Sequence, residues 1–212
     1  IMATRIYYPQ TVSDIALSET ITLTGNSAHH LFNVLKCKIG DSVVLFDGQN
    51  NEYHTIIHHL GKKQIELLLE NKHQMNRESP LSIHLIQAIS KGDRMDWVVQ
   101  KAVELGVPRI TPILTQHGVV KLDPARMQKK VEHWQNIAIG ACEQCGRNII
   151  PIIDPVCRFE NMLENEANAE KQLKYILDTT GINQPNSTTT PHLPLSGHPL
   201  PQGEALMLRI ST

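Results

Sequence analysis

Over the first seventy residues, short apolar runs alternate with clusters of turn-forming residues. Arg5–Tyr8, Ile21–Leu23, Ser42–Phe46, Glu52–Ile57 and Gln64–Leu69 are rich in Ile, Val, Leu and Tyr and read as strands. Gly25-Asn26, Gly40-Asp41, Asp47–Asn51 and Gly61–Lys63 punctuate them as turns. A single helix over about 27–35 interrupts the series. Many short strands in so little chain predict a small barrel. The polar stretch that ends in Ser79-Pro80 reads as a connection. We place a first domain at 1–72, a linker at 73–80 and a second domain at 81–212.

From residue 81 the rhythm becomes strand, helix, strand, helix. Leu81–Ile89, Arg109–Leu114, Ile149–Ile153, Lys174–Leu177 and Ala205–Leu208 read as strands, with three helices alternating among the first four. This pattern predicts an α/β domain built on a parallel sheet. The first helix starts at Asp93, a good capping residue, and stops at Gly106. At 100° per residue, Met95, Val98, Val99, Ala102 and Leu105 share its apolar face, and Arg94, Trp97, Gln100, Lys101 and Glu104 its polar one. The second helix starts at Asp123-Pro124 and ends before Gly146, with Met127, Val131, Trp134, Ile137, Ala138, Ala141 and Cys145 as its stripe. The turn-rich segment between Gly181 and Pro201 has no period and predicts a long loop.

Composition adds limits rather than identity. The 212 residues are 41% hydrophobic and 19% charged, as in an ordinary globular protein. No apolar run approaches a membrane span, and Ile1-Met2-Ala3-Thr4 lacks a signal-peptide core. Four irregularly spaced cysteines form no disulfide framework, so a reducing cytoplasm is the expected compartment. The net charge of −1 conceals an excess of basic residues over 91–130 and of acids over 154–208, a field that can steer a polyanion to one face. Cys142-Glu143-Gln144-Cys145 has C-x-x-C spacing. It sits at a helix C-terminus, which does not acidify a thiol, so packing is the favoured reading over a thiol redox protein. His54 and the adjacent His58-His59 do not suggest a metal, because neighbouring strand residues point to opposite faces; no metal is expected. Neither a G-x-G-x-x-G nor a P-loop occurs.

The chemistry concentrates in Lys91-Gly92-Asp93-Arg94-Met95-Asp96-Trp97, followed by Gln100-Lys101-Ala102 and Glu104-Leu105-Gly106-Val107. Gly92 allows a tight strand-to-helix turn, which leaves Lys91 and Arg94 at the carboxyl end of the first strand, where ligands of parallel sheets gather. These residues resemble a strand–helix segment of the RsmE family. Thr115–Leu122, Arg126, Lys129-Lys130, Trp134, Ile137-Ala138 and Glu143–Arg147 are similar to its next unit. In the first domain His29-His30-Leu31, Val34-Leu35, Gly40-Asp41, Phe46-Asp47-Gly48 and Glu52-Tyr53 match as well.

The resemblance implies a PUA-like RNA-binding β-barrel followed by a SPOUT methyltransferase domain with a C-terminal trefoil knot. It implies homodimers that hold S-adenosyl-L-methionine in the knot and methylate N3 of a uridine in 16S ribosomal RNA of the small subunit. After Ala205–Leu208 the family continues with a Gly-Pro-Glu-Gly-Gly-like loop and a further helix, whereas this sequence ends Arg209-Ile210-Ser211-Thr212. We expect the knot segment to have been left out and its flanks joined, since a truncated sheet would expose apolar edges.

N3 of uracil carries a proton at neutral pH and becomes nucleophilic once that proton leaves. A base, or cations that stabilise the anion, therefore lowers the barrier. N3 lies on the pairing edge, so the target base must be unpaired. On the matched positions we expect Arg94 and Arg147 near the anion or a flanking phosphate, with Glu104 orienting the base or accepting its proton. Arg147, just past the helix-ending Gly146, is expected to project from an exposed loop. Leu177, Asp178, Leu206, Met207 and Leu208 are expected to line the cofactor site, and Arg5, His29, His30, Lys36, Lys91, Lys101, Lys121 and Lys129 to contact RNA. The alternative is a dimeric RNA-binding protein without catalysis.

Overall fold

The computed structural model describes residues 4–10, 15–90, 92–115, 123–166, 173–177 and 206–211. The chain divides into two units. One comprises Ile1–Glu78 with Cys142–Ile150, the other Ser79–Ala141 with Pro151–Thr212. The segment expected as a linker over 73–80 therefore belongs largely to the first unit. So does a piece of chain the sequence pattern assigned to the second domain.

The first unit runs β1 (Thr4–Tyr7), β2 (Thr20–Thr24), α1 (Gly25–His29), β3 (Ser42–Phe46), β4 (Asn51–Leu60) and β5 (Gln64–Gln74). They form one five-stranded sheet in the order β1-β3-β4-β5-β2, a half-barrel. β1 lies parallel to β3, and the other pairings are antiparallel. Alternation decides which side chains enter the core. β2 buries Ile21 and Leu23 between exposed threonines, and β5 buries Ile65, Leu67 and Leu69. These pack with Ile6, Val43, Leu45 and Ile57.

α1 supplies Ala28 to this core and continues as a π-turn over His30–Val34, which supplies Leu31. The turn closes with Cys37 N donating to Leu31 O at 3.0 Å, while Lys36 takes a left-handed φ of 51°. The tight turn after β3 is organised by buried Asp47, whose carboxylate accepts from Gln49 N at 2.7 Å, Asn51 Nδ2 at 2.6 Å and Tyr53 Oη at 3.2 Å. Gly48 in that turn has φ 82°, and a Cβ there would meet the Tyr7 ring at 3.2 Å.

The second unit runs β6 (Ser82–Ala88), α2 (Arg94–Glu104), β7 (Arg109–Leu114), α3 (Pro124–Cys145), β8 (Ile152–Ile153), β9 (Cys157–Arg158), α4 (Phe159–Glu166), β10 (Leu173–Leu177) and β11 (Leu206–Ser211). The last turn of α3, from Cys142, belongs to the first unit. The sheet order is β10-β11-β6-β7-β8, with β9 also on β7.

The expectation of a parallel sheet holds only in part. β6, β7, β8 and β9 are parallel, but β11 runs antiparallel to both β6 and β10. A parallel return requires a crossover, usually helical, whereas an antiparallel neighbour requires none. The sequence between β10 and β11 carries no helical period. The strand expected over 149–153 is also shorter. Pro151 has no N–H to give a ladder, so only Ile152–Ile153 pair with β7, while Ile149 bridges to Gln49 in the first unit.

Within the second unit, α2 and α3 are joined through Asp96. Its carboxylate accepts from the indole Nε1 of buried Trp134 at 3.0 Å and lies 2.7 Å from His133 Nε2. Lys130 Nζ sits 5.6 Å from the centroid of the same indole. Met95, Val99, Ala102 and Val103 face the core, whereas Leu105, expected with them, is 81% exposed. Asp93 makes no side-chain cap, and its φ of −85° and ψ of 4° are not those of an extended capping residue.

Asp96→Ala leaves the buried indole N–H without its acceptor, which costs roughly 1–3 kcal/mol. We expect the second unit to melt several degrees lower by tryptophan fluorescence, with Asp96→Asn, which keeps an acceptor oxygen, recovering most of the loss. Equal melting of Asp96→Ala and wild type would show that this contact does not hold α2 to α3.

Candidate functional site

The residues from Cys142 to Ile150 carry the densest polar chemistry of the first unit, because side chains from β1, β4 and the end of β5 converge on their backbone. Arg5 donates through Nη1 to Glu52 at 2.6 Å, and through Nη2 to Asn148 Oδ1 at 2.6 Å and Arg147 O at 3.3 Å. Arg77 donates to the same Glu52 carboxylate and to Gly146 O at 2.9 Å. Asn148 returns a hydrogen bond to Met75 O at 2.9 Å. The Arg147 guanidinium pairs with Glu78 through both Nε, at 3.0 Å, and Nη2. Arg5 also lies over the Phe46 ring, 4.9 Å from its centroid.

Glu52 is 2% exposed. Burial pushes its carboxyl up, but hydrogen bonds from Arg5 and Arg77 outweigh this and hold it below the usual carboxylate range. Glu143 stands apart. One oxygen, Oε1, accepts from the Tyr7 backbone N–H at 3.0 Å, and burial raises its carboxyl above the usual range despite that bond and the nearby charges of His30 and Arg5.

These positions correct one expectation directly. Arg147 does not project into solvent. Its side chain is 7% exposed and paired with Glu78, because the turn after Gly146 folds back on the first unit. Arg5 is likewise committed to Glu52 and Asn148. Glu104 is exposed, accepts from Lys101 at 2.6 Å and from Gln100 at 3.0 Å, and is held below its usual range, first of all by the Lys101 hydrogen bond. That environment opposes a proton-accepting role and engages Lys101 as well. Arg94 is exposed on the first turn of α2. His29, Lys36 and Lys129 are exposed and His30 is half-buried. Lys91, Lys121 and Asp178 lie outside the described residues.

The expected cofactor residues share one edge of the second unit's sheet. β6, β7 and β10 run in the same direction, and Leu206 opens β11 opposite both Leu177 at the end of β10 and Gln87 near the end of β6. Met207 and Leu208 follow opposite Ile176 and Tyr175. The carboxyl edge thus gathers Leu177, Leu206, Gln87, Ala88 and Ile113, apolar or uncharged groups beside open strand ends.

The sequence pattern missed Glu52, Arg77, Glu78, Asn148 and Glu143 as members of a site. The consecutive buried positions Glu52 and Tyr53 break strict alternation, a signal available in principle, whereas nothing in the polar run before Pro80 marks Glu78. The C-x-x-C pair separates. Burial pushes the Cys142 thiol up to about 12, opposite to a redox nucleophile, and Cys145 is exposed. Among the described residues no three His, Cys, Asp or Glu groups come together to hold a metal ion.

Two family models and several known proteins match the chain. An RNA methyltransferase domain model matches residues 77–198, and an RNA methyltransferase PUA domain model matches residues 23–70. Ribosomal RNA small subunit methyltransferase E of Buchnera aphidicola is 34% identical over 186 residues, covering 88% of this chain and 69% of its own. The Bacillus subtilis protein of the same name is 30% identical, covering 79% of this chain and 65% of its own. A methyltransferase from Legionella pneumophila, solved with bound SAM, is 40% identical with a TM-score of 0.73, covering 80% of this chain and 68% of its own. Ribosomal RNA small subunit methyltransferase E of Neisseria gonorrhoeae, bound to S-adenosyl methionine, is 37% identical with a TM-score of 0.71, covering 77% of this chain and 66% of its own. The chain therefore spans about two thirds of the length of these relatives.

Two outcomes are expected from the buried ion network. Arg147→Ala leaves half-buried Glu78 without its partner and should cost roughly 1–3 kcal/mol, read as a drop in melting temperature; an unchanged melt would contradict the pairing. Glu52 has a lowered folded pKa, so its contribution to stability is complete above the unfolded value and is lost as pH falls through the folded one. Melting temperatures should hold near neutrality and fall below the ordinary glutamate range, and Glu52→Gln should flatten that acid limb.

Proposed function

Because the chain belongs to the ribosomal RNA small subunit methyltransferase E family, we propose that it methylates N3 of a uridine in 16S ribosomal RNA, with S-adenosylmethionine as donor. The observation that carries this reading is the SAM held by two relatives of matching fold and 37–40% identity. The carboxyl edge of the second unit's sheet suits such a ligand. Its groups are apolar or uncharged, compatible with an adenosyl group and a sulfonium, and strand ends offer backbone donors and acceptors. Leu177, Leu206, Met207 and Leu208 would hold the cofactor there, with Asp178 next in sequence after Leu177, and the bound group would supply an activated methyl.

The protein's own task is positioning, since transfer is an in-line displacement. Exposed Arg94 on α2 supports a role near a phosphate or the uracil anion. Exposed His29, Lys36 and Lys129 and half-buried His30 support RNA contact. Arg5 and Arg147 are engaged by Glu52 and Glu78, so their influence on RNA is indirect, whereas Lys101, exposed beside Glu104, supports RNA contact. The family resemblance further supports a homodimer. A cytoplasmic location follows from the ribosomal substrate. Among the described residues, no helix is long and apolar enough to cross a membrane.

Isothermal titration of the full-length protein with S-adenosylmethionine should give about one site per subunit. Small-subunit particles from a strain lacking the gene should gain one N3-methyluridine when incubated with protein and donor. Absence of heat at high donor concentration would favour an RNA-binding protein without catalysis, and a methyl group on another atom would overturn the assignment to N3.

A further inference from the structure

The outer face of the first unit's sheet is covered unevenly. Strand alternation and register put Arg5 of β1, Glu52 and His54 of β4, and Asn71 and His73 of β5 on that side, while Ile6, Val43, Leu45 and Tyr53 turn into the core. The segment from Cys142 to Ile150 is tied to the β1 side by hydrogen bonds from Arg5 and the Tyr7 amide. The β4–β5 side stays open. Asn71 and His73 are exposed there, and the His54 side chain is 43% exposed.

Three donor groups meet on that open surface. The His54 and His73 rings pack edge to face, with centroids 4.9 Å apart and planes at 85°. His54 Nε2 lies 3.7 Å from Glu52 Oε2, the oxygen that also accepts from Arg77 Nη2 at 3.3 Å. One shared oxygen thus brings the imidazole pair and the guanidinium together. Neither ring makes a hydrogen bond among the described residues, and each carries an N–H whichever tautomer it adopts. Arg77 spends three of its five N–H groups on Glu52 and Gly146 O, and its side chain is 40% exposed.

The charge of the surroundings favours an anion. The guanidiniums of Arg5, Arg77 and Arg147 are set against only two carboxylates, Glu52 and Glu78. Glu70, the extra residue where the β4–β5 register shifts, is the acid adjoining Asn71. It is exposed and forms no ion pair among the described residues, so solvent screens it. Packing accounts for the ring pair alone, but not for unspent donors gathered around surplus positive charge.

We propose that His54, His73 and Arg77 form a contact for a phosphate of the RNA backbone. This rests on the RNA substrate proposed above and adds to His29, His30 and Lys36 a contact on the sheet itself. The phosphate oxygens accept from the imidazole N–H groups and from the remaining N–H groups of Arg77. Each ring restrains the other, so little side-chain freedom is lost on binding. Such a contact reads no base. It fixes where the strand lies.

The test uses full-length protein and small-subunit particles from a strain lacking the gene. His54→Ala with His73→Ala should melt like wild type, bind particles roughly three- to tenfold more weakly, and raise KM while kcat holds. His73→Arg should tighten binding and steepen its salt dependence by about one unit. His59→Ala, at an exposed histidine farther along β4, should change nothing. Diethyl pyrocarbonate, which acylates exposed imidazoles, gives a readout on wild type that needs no variant to fold. Particles and protein-free 16S RNA should both shield His54 and His73 and leave His59 reactive. Wild-type affinity in the double variant, or unshielded rings in a bound complex, would overturn the proposal alone. Shielding by particles but not by free RNA would assign the patch to a ribosomal protein and overturn it too. Failure of wild type to bind particles or RNA would overturn the substrate reading beneath it as well.

Discussion

Arg5, Glu52 and Arg77 form a knot of charge around one buried carboxylate, which serves two guanidiniums, and both guanidiniums reach onward to backbone carbonyls of a distant segment. Buried ions are costly unless every donor and acceptor is satisfied. Here the carbonyls of Gly146 and Arg147 and the amide of Asn148 complete the set, apart from Arg5 Nε, which has no partner among the described residues. The ionic interior and the path of the chain are thus mutually dependent. Without the segment from Cys142 to Ile150 the largely buried Arg5 would be incomplete, and without the arginines that segment would lose the contacts that fix its backbone.

The same principle sorts the acidic residues by proton affinity. Where arginine or lysine supplies the hydrogen bonds, as at Glu52 and Glu104, the carboxyl is held ionised. Where a backbone amide supplies one and burial does the rest, as at Glu143, the carboxyl keeps its affinity for protons. Environment, not residue type, makes the difference.

The strands of the first unit were legible because alternation reports directly on burial, as in β2 and β5. Helix faces were legible along their middles and failed at their ends. Leu105 terminates α2 with φ −84° and ψ 0°, so the 100° rule that grouped it with Met95 no longer applies, and Val103 fills the core instead. Cys142, not Cys145, is buried because the last turn of α3 answers to neighbours in the first unit. The ion network was invisible for a related reason. Its members lie 25 to 143 residues apart, and no local pattern encodes which arginine a buried glutamate will meet. The expectation for Arg147 went astray on that point, since a residue after a helix-ending glycine is normally solvated.

In order of synthesis, the second unit's Ser79–Ala141 interrupts the first. As the chain emerges from the ribosome, β1 to β5 are all present by Gln74, yet the acceptors that complete their charged interior follow only after another seventy or so residues. Closing so long a loop adds little entropy per residue but slows the search for the closing contact. The nascent half-barrel must therefore persist for a time with its arginines partly unmatched and open to water, and its maturation is tied to the completion of α3.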